Sequence, residues 1–567
     1  MAKLQYSPTP TDENELHKPD QSQKEIPGEF PEIDKFGPYT VTIFFLLSLP
    51  LILSASRSMS YAFTTGTMSY RCSVKECEDP ANTTLHPSWL SNAVPYTNDE
   101  PELCTRFVVK NSTDSCETTK FSTETEQCDE WIYEPHESSI LNEFNLTCSN
   151  NLWKLTLPGS INNLGQFIGM IFTGYLSDRF GRRNLLAVST VISAILGLIR
   201  SFSVNYEMFV IFEFLDAMAG SGVWGAMFVL GMEFVGPEKR IVLGNLPACL
   251  AVIWYILLGA FAMWLRSWRN LLRVFYAPGL LAIFIPYLVP ESVRWLLSRG
   301  RVEEAEEVLR KIASGNRIPI SEKSIQLLRS EKKEIIHSLD SKSKASRISV
   351  AREIIRNKTL FIRLVVCTFC WLANVFVYYG LCLRSVAVPG DKYINFMLTA
   401  TVELPAQFLV WILADFVGRK PTLSGSFFLS GVFCILTVYV PAGTWNLPLI
   451  IFLSGKFCIT MSYRMVYIFT TEMFPTPLRN SLLSFCSMIG RIGSMIAPQT
   501  PLLARIMPSL PLLSFGVVAI SASFLSLILP ETLGVKLPDT VSEAARIGEA
   551  KQRKSGTRIV RNVDEKM

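Results

Sequence analysis

The chain has 567 residues, 49% of them hydrophobic, and its mean hydropathy is +0.27. Water-soluble proteins of one to three domains carry less apolar surface, so the composition excludes that class and indicates a chain that crosses a membrane several times. The net charge of +5 comes without aromatic residues interleaved among the basic ones, and we expect no nucleic-acid partner.

Twelve segments are long and apolar enough to cross a bilayer, which takes about 20 residues for ~30 Å of hydrocarbon. The predicted spans are 38–63, 153–176, 184–202, 207–231, 242–264, 272–290, 360–382, 392–414, 421–441, 446–470, 482–505 and 509–530. We therefore predict an all-α membrane protein with twelve transmembrane helices. The first 36 residues are polar and lack the pattern of a cleavable signal peptide, so an even number of spans predicts two cytoplasmic termini.

The charges of the connections predict the orientation. Residues 292–358 hold 16 Lys and Arg against 9 Asp and Glu, as cytoplasmic loops tend to do. Within them, residues 301–314 have an amphipathic pattern and are expected to pack as a helix on the bundle. We expect a plasma-membrane protein and predict the following organisation: a cytoplasmic tail (1–37), the first span (38–63), an extracellular loop (64–152), spans two to six (153–291), a cytoplasmic helical loop (292–358), spans seven to twelve (359–530) and a cytoplasmic tail (531–567).

The loop after the first span has the features of an extracellular segment. Residues 64–152 hold 15 Asp and Glu against 5 Lys and Arg. Three N-glycosylation sequons begin at Asn82, Asn111 and Asn145. An even set of cysteines in so short a stretch predicts three disulfides, whose pairing the spacing leaves open among fifteen possibilities. The six are Cys72, Cys77, Cys104, Cys116, Cys128 and Cys148.

Three motifs occur twice, once in each half of the chain and in the same order. They are an Asp followed by a glycine and two basic residues, an acid with a basic residue seven positions on, and a Pro-Glu pair. The first half contributes Gly174, Asp178, Arg179, Gly181, Arg182, Arg183, Glu233, Arg240, Glu291 and Arg294, and the second Asp415, Gly418, Arg419, Lys420, Glu472, Arg479 and Glu531. Three such matches predict two homologous six-helix halves.

We expect these motif residues to form a reversible latch. Their charged groups can pair with helix ends of the opposite half in one state and separate into water in another, and the glycines permit turns at the membrane edge. The alternative is that they only set the topology through their positive charge.

The run GYLSDRFGRR at 174–183 resembles the cytoplasmic signature of the major facilitator superfamily, whose fold surrounds a central cavity with two six-helix halves. The cysteine-rich loop and the runs PESVRWL (290–296), FVYYGL (376–381) and YIFTTEMFPTPLRN (467–480) are similar to the organic cation, anion and zwitterion (carnitine-type) transporters. YRCSVKECE (70–78) and GMEFVGPEKR (231–240) resemble the insect branch, which includes carcinine and β-alanine carriers. The resemblance implies transport by alternating access around a mid-membrane site.

Charged residues inside spans are costly, by about 2.5–3.5 kcal/mol each on insertion scales, and are therefore candidates for substrate contact. They are Glu213, Asp216, Glu403, Lys456, Arg464 and Arg491. Arg491 matches an arginine of the anion and carnitine branches, and its guanidinium suits a carboxylate. The alternative is a buried ion pair with Glu213, Asp216 or Glu403.

Glu213 and Asp216 lie three residues apart and share a helix face. They either receive an ammonium group of the substrate or pair with Arg464. Aromatic residues at positions that the resemblance assigns to the cavity are candidates for an alkylammonium, which a ring face attracts by ~0.5–2 kcal/mol. They are Trp371, Phe376, Tyr378, Tyr379 and Tyr467.

The leading hypothesis is a carrier of small cationic or zwitterionic amines of the carnitine, β-alanine or carcinine type, with an organic anion carrier as the alternative. Further alternatives are a non-transporting receptor built on a carrier scaffold and a sugar-type facilitator. The sequence has no phosphate loop and no GxSxG or HExxH motif, so we expect neither an ATP-driven pump nor an enzyme, and no cofactor or metal. The expected partners are the substrate, the lipid bilayer and a co-transported or exchanged ion.

Overall fold

The computed structural model describes residues 37–79, 84–97, 100–110, 116–235, 240–320, 325, 352–354, 356–440, 447–476, 478–535 and 537–548. The predicted N-terminal tail up to residue 36, most of the loop 292–358 beyond residue 320, the C-terminal residues from 549 and the sequons at Asn82 and Asn111 lie outside these ranges.

The first half contains helices and a few short strands. The helices are α1 Pro38–Met59, α2 Tyr61–Thr64, α3 Leu90–Ala93, α4 Ile140–Glu143, α5 Cys148–Phe180, α6 Arg182–Arg200, α7 Tyr206–Ala219, α8 Gly222–Glu233, α9 Arg240–Leu265, α10 Trp268–Tyr276, α11 Ile285–Leu288, α12 Val293–Ser298 and α13 Val302–Gly315, with 3₁₀ turns at Thr118–Lys120 and Ala277–Phe284. The strands are β1 Tyr70–Cys72, β2 Tyr96–Thr97, β3 Glu100–Pro101, β4 Thr105–Val109, β5 Phe121–Gln127 and β6 Trp131–Tyr133.

The described residues of the second half form helices and connecting segments, with no strands. Its elements are α14 Lys358–Arg384, α15 Lys392–Thr401, α16 Glu403–Phe416, α17 Arg419–Tyr439, α18 Leu447–Met473, α19 Arg479–Ile496, α20 Leu510–Ser526 and α21 Val541–Arg546, with 3₁₀ turns at Ser385–Ala387 and Ala497–Arg505.

Ten helical segments of the described chain are long and apolar enough to span a membrane, and they match ten of the predicted spans. Predicted span two lies within α5, a helix of 33 residues that carries buried Asn162, Asn163 and Gln166 and is less apolar for that reason. Predicted span twelve is the shorter apolar helix α20, of 17 residues. The all-α, multi-pass membrane architecture is confirmed. α5 begins at Cys148, five residues before the predicted span, since hydropathy marks only the apolar part of a helix.

The segment between α1 and α5 is held together by disulfides. Its strands form three separate antiparallel pairs, β1 with β6, β2 with β3 and β4 with β5. The predicted disulfides are present, joining Cys72 to Cys128, Cys77 to Cys116 and Cys104 to Cys148.

Tyr133 of β6 links this segment to the one sequon that the structure describes. Burial raises the pKa of Tyr133 to about 12, so its hydroxyl stays protonated at neutral pH. It donates a hydrogen bond to the side chain of Asn145 at 3.3 Å.

The repeated motifs build the same turn in both halves. Gly181 and Gly418 have φ angles of +94° and +113°, a region that favours glycine. Glu291 accepts hydrogen bonds from the first two backbone N–H groups of α6, at 3.2 Å. Glu531 does the same for α17, at 3.0 and 3.1 Å. A carboxylate thus caps each helix at its N-terminus, where unpaired N–H groups and the helix dipole favour negative charge.

The amphipathic segment 301–314 forms α13, as predicted. Its apolar face, with Val302, Ala305 and Leu309 buried, belongs to the same apolar core as Ile43 and Leu47 of α1. The helix therefore packs on the bundle.

The two halves contact each other on the side of the bundle that carries the disulfide-bonded segment, here called the disulfide side. α5 meets the 3₁₀ turn after α19 there, where Thr156 donates to Gln499 at 3.0 Å. Lys392 of α15 also pairs with Glu137 of the disulfide-bonded segment at 2.5 Å. The opposite, or motif, side carries Asp178 and Asp415, whose side chains are 77% and 75% exposed.

Gly197 of α6 provides a test of this packing. A Cβ added there meets the Tyr276 ring at 2.1 Å, so Gly197→Ala is expected to destabilise the protein by about 1–3 kcal/mol through overpacking. Gly225 of α8 has nothing within 4 Å of the same position and provides the control. Thermal unfolding of detergent-purified protein should show a lower midpoint for Gly197→Ala and no decrease for Gly225→Ala. Equal midpoints would contradict the packing described here.

Candidate functional site

The buried acids of the first half form a network within that half. Glu213 and Asp216 of α7 are fully buried. Arg200, at the end of α6, forms an ion pair with Glu213, and its Nη1 lies 3.5 Å from Asp216 Oδ2. Tyr276 of α10 donates to Asp216 at 2.5 Å, and Asn162 of α5 donates to Glu213 at 2.6 Å. The carboxylates are therefore occupied by neighbours of the same half.

One of the two alternatives drawn from the sequence, pairing of Glu213 and Asp216 with Arg464, is not found among the described residues. The other, contact with a substrate ammonium, stays a prediction. The partner of both acids is Arg200, which the sequence analysis missed because a basic residue near a span end is commonly an interface anchor. Arg200 lies inside the predicted span 184–202, so counting the charged residues within that span would have identified it.

The second half contains a similar network. Lys456 of α18 and Glu403 of α16 are buried and form an ion pair with an Nζ–Oε1 distance of 2.9 Å. The Tyr378 hydroxyl lies 2.8 Å from both Glu403 oxygens, and Lys456 Nζ lies 3.3 Å from the centre of the Tyr378 ring. Lys456 Nζ is also 2.8 Å from the sulfur of Cys382. Glu403 thus has its counter-charge inside its own half.

Arg491 has a different environment. In the part of the chain that the structure describes, it forms no ion pair, so none of the three acids proposed as partners neutralises it. Its Nη1 donates to Gln166 of the other half at a long 3.5 Å. Gln166 donates in turn to Asn162 at 2.7 Å, and Asn162 to Glu213. The link from Arg491 to a carboxylate therefore passes through two neutral amides.

Arg464 of α18 is half-buried and likewise forms no ion pair among the described residues. The charges in the middle of the bundle are consequently unbalanced. Five cations face three acids, a net excess of two positive charges, and three of the cations have no ion pair among the described residues because Arg200 pairs with both Glu213 and Asp216. The cations are Arg57, Arg200, Lys456, Arg464 and Arg491, and the acids are Glu213, Asp216 and Glu403.

Three tyrosines lie close to Arg491. Its guanidinium interacts electrostatically with the side chains of Tyr379, Tyr463 and Tyr467, and it forms a hydrogen bond with Tyr379. Ring contacts continue from Tyr463 to Tyr378, with centroids 5.0 Å apart, and from Tyr467 to Trp371, 4.3 Å apart. Tyr463, which the sequence analysis missed, therefore joins the predicted aromatic residues into one cluster.

Two of the predicted aromatic residues pack between helices. Trp371 is 1% exposed and donates a hydrogen bond to Thr470 at 3.0 Å. Its buried ring packs against that of Tyr467. Phe376 is buried against Phe515, with ring centroids 5.2 Å apart. Gly493 lets α19 pack closely on α14, because a Cβ added there lies 2.5 Å from the Leu372 carbonyl oxygen.

The motif residues form their ion pairs within their own halves in this structure. Asp178 pairs with Arg182 at 3.6 Å, and Asp415 pairs with Arg419 at 3.1 Å. Of the others, Arg179 and Arg294 are exposed, Glu291 is buried, and Arg183, Glu233, Lys420, Glu472, Arg479 and Glu531 are half-buried. Gly174 has open space around the position of a Cβ.

Comparisons with known proteins identify relatives over most of the chain. The family model of the sugar (and other) transporters matches residues 99–541. The chain is 32% identical to the organic cation/carnitine transporter 2 of Homo sapiens over 557 residues, 94% of this chain and 97% of the relative. It is 31% identical to the organic cation transporter protein of Drosophila melanogaster over 525 residues, 91% of this chain and 94% of the relative.

Solved structures share the fold. The inward-open xylose transporter XylE from E. coli matches with a TM-score of 0.58 at 18% identity, over 88% of this chain and 98% of that one. Its partially occluded inward-open form matches with a TM-score of 0.59 at 19% identity, over 88% of this chain and 100% of that one.

The Lys456–Glu403 pair predicts a pattern of folding defects. Glu403→Gln leaves a buried, uncompensated ammonium group and is expected to cost about 3–5 kcal/mol. The double variant Glu403→Gln with Lys456→Met removes both charges and should regain folded protein. The yield of monodisperse protein in size-exclusion chromatography measures this. Glu304→Gln, which breaks the exposed pair with Arg301, is the matched control and should be neutral. A double variant with a yield below that of Glu403→Gln would refute the pairing.

Proposed function

We propose that this chain transports small zwitterions across the plasma membrane by alternating access. The premise is that the chain belongs to the sugar (and other) transporter family and is similar there to the organic cation/carnitine transporters. The substrate class is an alkylammonium joined to a carboxylate, as in carnitine and β-alanine. The observation that carries the proposal is Arg491, a cation that has no acidic partner among the described residues and lies close to three tyrosines.

Arg491 holds the carboxylate in this proposal. A guanidinium offers two parallel N–H donors to a carboxylate, and such charged hydrogen bonds contribute about 1.5–3 kcal/mol. Tyr379, Tyr463 and Tyr467 provide ring faces for the alkylammonium, each worth ~0.5–2 kcal/mol when desolvated. Both ends of a zwitterion are thereby satisfied in one place.

The paired acids argue against a pure cation as the best substrate. A cation without a carboxylate would have to draw Glu213, Asp216 or Glu403 away from an existing partner. It would also add to the two positive charges already unbalanced in the bundle. Carcinine, which has no carboxylate, is therefore the weakest of the three amines suggested by the resemblance.

An organic anion is the second candidate. The excess of two cations over acids in the middle of the bundle favours a negatively charged substrate as well as a zwitterion. The tyrosine cluster distinguishes the two, because an anion without an ammonium group leaves the ring faces without a cation.

The motif residues act as the gate in this proposal. Contact between the halves on the disulfide side, together with motif ion pairs that stay within each half, fits a state open toward the motif side. We assign that side to the cytoplasm, with both termini, because its connections are basic. In the opposite state the motif charges pair across the halves. The membrane potential, worth ~2.3 kcal/mol per charge per 100 mV, acts on any co-transported ion.

Uptake by cells that express Arg491→Gln tests the substrate class. We expect uptake of carnitine and β-alanine to fall at least about tenfold, the effect of losing one charged hydrogen bond, whereas carcinine uptake should be spared. Arg505→Gln, at an exposed arginine after the same helix, is the control and should match the wild type. Uptake is expressed per transporter at the cell surface. Equal loss of all three substrates would count against a carboxylate at Arg491.

A further inference from the structure

The part of the disulfide-bonded segment just before α4 is fixed to the first half by its backbone. Ser138 N donates to the Arg266 carbonyl oxygen at 2.9 Å, and Trp268 N donates to the Ser138 carbonyl oxygen at 3.2 Å. These bonds form a short parallel bridge to the connection between α9 and α10. Glu143 of α4 also forms an ion pair with Arg269 of α10 at 2.7 Å. This part of the segment therefore belongs to the first half.

A side chain from the same place contacts the second half. The Glu137 carboxylate forms an ion pair with Lys392 Nζ at 2.5 Å and accepts a hydrogen bond from the Tyr393 hydroxyl at 2.9 Å. Both partners lie in the first turn of α15. The side chains of Lys392 and Glu137 are 26% and 11% exposed. Water can therefore replace each partner when the pair separates, at a lower cost in free energy than for a fully buried pair.

A cavity borders this contact, and residues of both halves line it. Phe63 and Trp268 come from the first half, Lys392 and Tyr393 from the second, and Glu137 from the disulfide-bonded segment. Phe63 of α2 stacks on Tyr393 with ring centroids 5.7 Å apart. Close-packed interiors resist separation because every atomic contact that is lost costs dispersion energy. A boundary that includes a cavity has fewer such contacts to lose, so the halves can part along this line.

We infer that Glu137 is a gating residue of the transport cycle. It closes the bundle on the disulfide side in this state and releases Lys392 and Tyr393 when that side opens. The pairs of Arg200 and Lys456 stay within one half, whereas the Glu137 pair joins the halves and is broken by their relative movement. The disulfide-bonded segment is then a moving part of the carrier. The inference goes beyond the proposed function, because it holds for any substrate.

The test measures how often the disulfide side opens in intact cells that express the full chain. Ala62 lines the cavity and is 5% exposed, so Ala62→Cys provides a thiol that is buried while the contact is closed. A charged, membrane-impermeant methanethiosulfonate reagent outside the cells then reacts at a rate that follows the open fraction. The same chain without Ala62→Cys gives the background from the native cysteines.

We expect Glu137→Gln and Lys392→Gln to raise the labelling rate at least about fivefold, because each removes a charge that holds the contact closed. Tyr393→Phe removes one hydrogen bond and should have a smaller effect. The double reversal, Glu137→Lys with Lys392→Glu, should lower the rate again, since the ion pair forms in the opposite sense. Glu130→Gln is the matched control, because Glu130 pairs with Lys75 at 2.8 Å within the same segment, and its rate should equal that of the parent.

Two results would overturn the inference. In the first, Glu137→Gln and Lys392→Gln are labelled at the same rate as Glu130→Gln. In the second, both are labelled faster and the double reversal is labelled as fast as they are, which indicates a loosened structure. If Glu137→Gln does not reach the cell surface, Lys392→Gln and Tyr393→Phe decide by the same criteria. No substrate is added, so a failure of the proposed zwitterion transport leaves this test unaffected.

Discussion

The structure depends on how charge is accommodated inside a lipid bilayer. A charge in a span has to be paired or face water, since hydrocarbon offers it no partner. Each of the three acids in the middle of this bundle forms an ion pair with a basic residue of the same half, Glu213 and Asp216 sharing Arg200. The consequence is that each half keeps its own acids satisfied in whatever position it adopts relative to the other.

This arrangement suits a carrier whose halves move against each other. If Glu403 had its partner in the first half, rocking would expose an unpaired charge twice in every cycle. The hydrogen bond that Arg491 itself makes to the other half is instead weak, at 3.5 Å from the neutral side chain of Gln166. A movement that breaks this bond loses little free energy. In the proposed function the substrate supplies the carboxylate that Arg491 lacks.

The fold was largely predictable from the sequence, because hydropathy and the duplicated motifs report on backbone properties. Apolar runs located ten of the spans, and the motif glycines Gly181 and Gly418 occupy the turns that their spacing implied. The polar helix α5 was found only in part, since its buried amides lower the apolar signal. The disulfide pairing needed coordinates, because any pairing of six cysteines satisfies the same composition.

The charge pairing in the site was not predictable. A sequence shows which residues a span contains but not which way the helix is rotated, so the partners of Glu213 and Glu403 remained a choice among several cations. Arg200 and Arg57 were missed because they lie toward the ends of their spans, where a basic side chain usually reaches the interface. Their burial becomes visible only when α6, α7 and α10 are packed together.

The central claim is that the buried acids are already paired and that a guanidinium is left for the carboxylate of the substrate. Binding of carnitine and its carboxamide to the purified wild-type protein, measured by titration calorimetry, tests this claim without any variant. The account predicts that carnitine binds at least about tenfold more tightly than the carboxamide, the value of one charged hydrogen bond. Tighter binding of the carboxamide, a pure cation, would contradict it, because that result requires an acid free to receive an ammonium group.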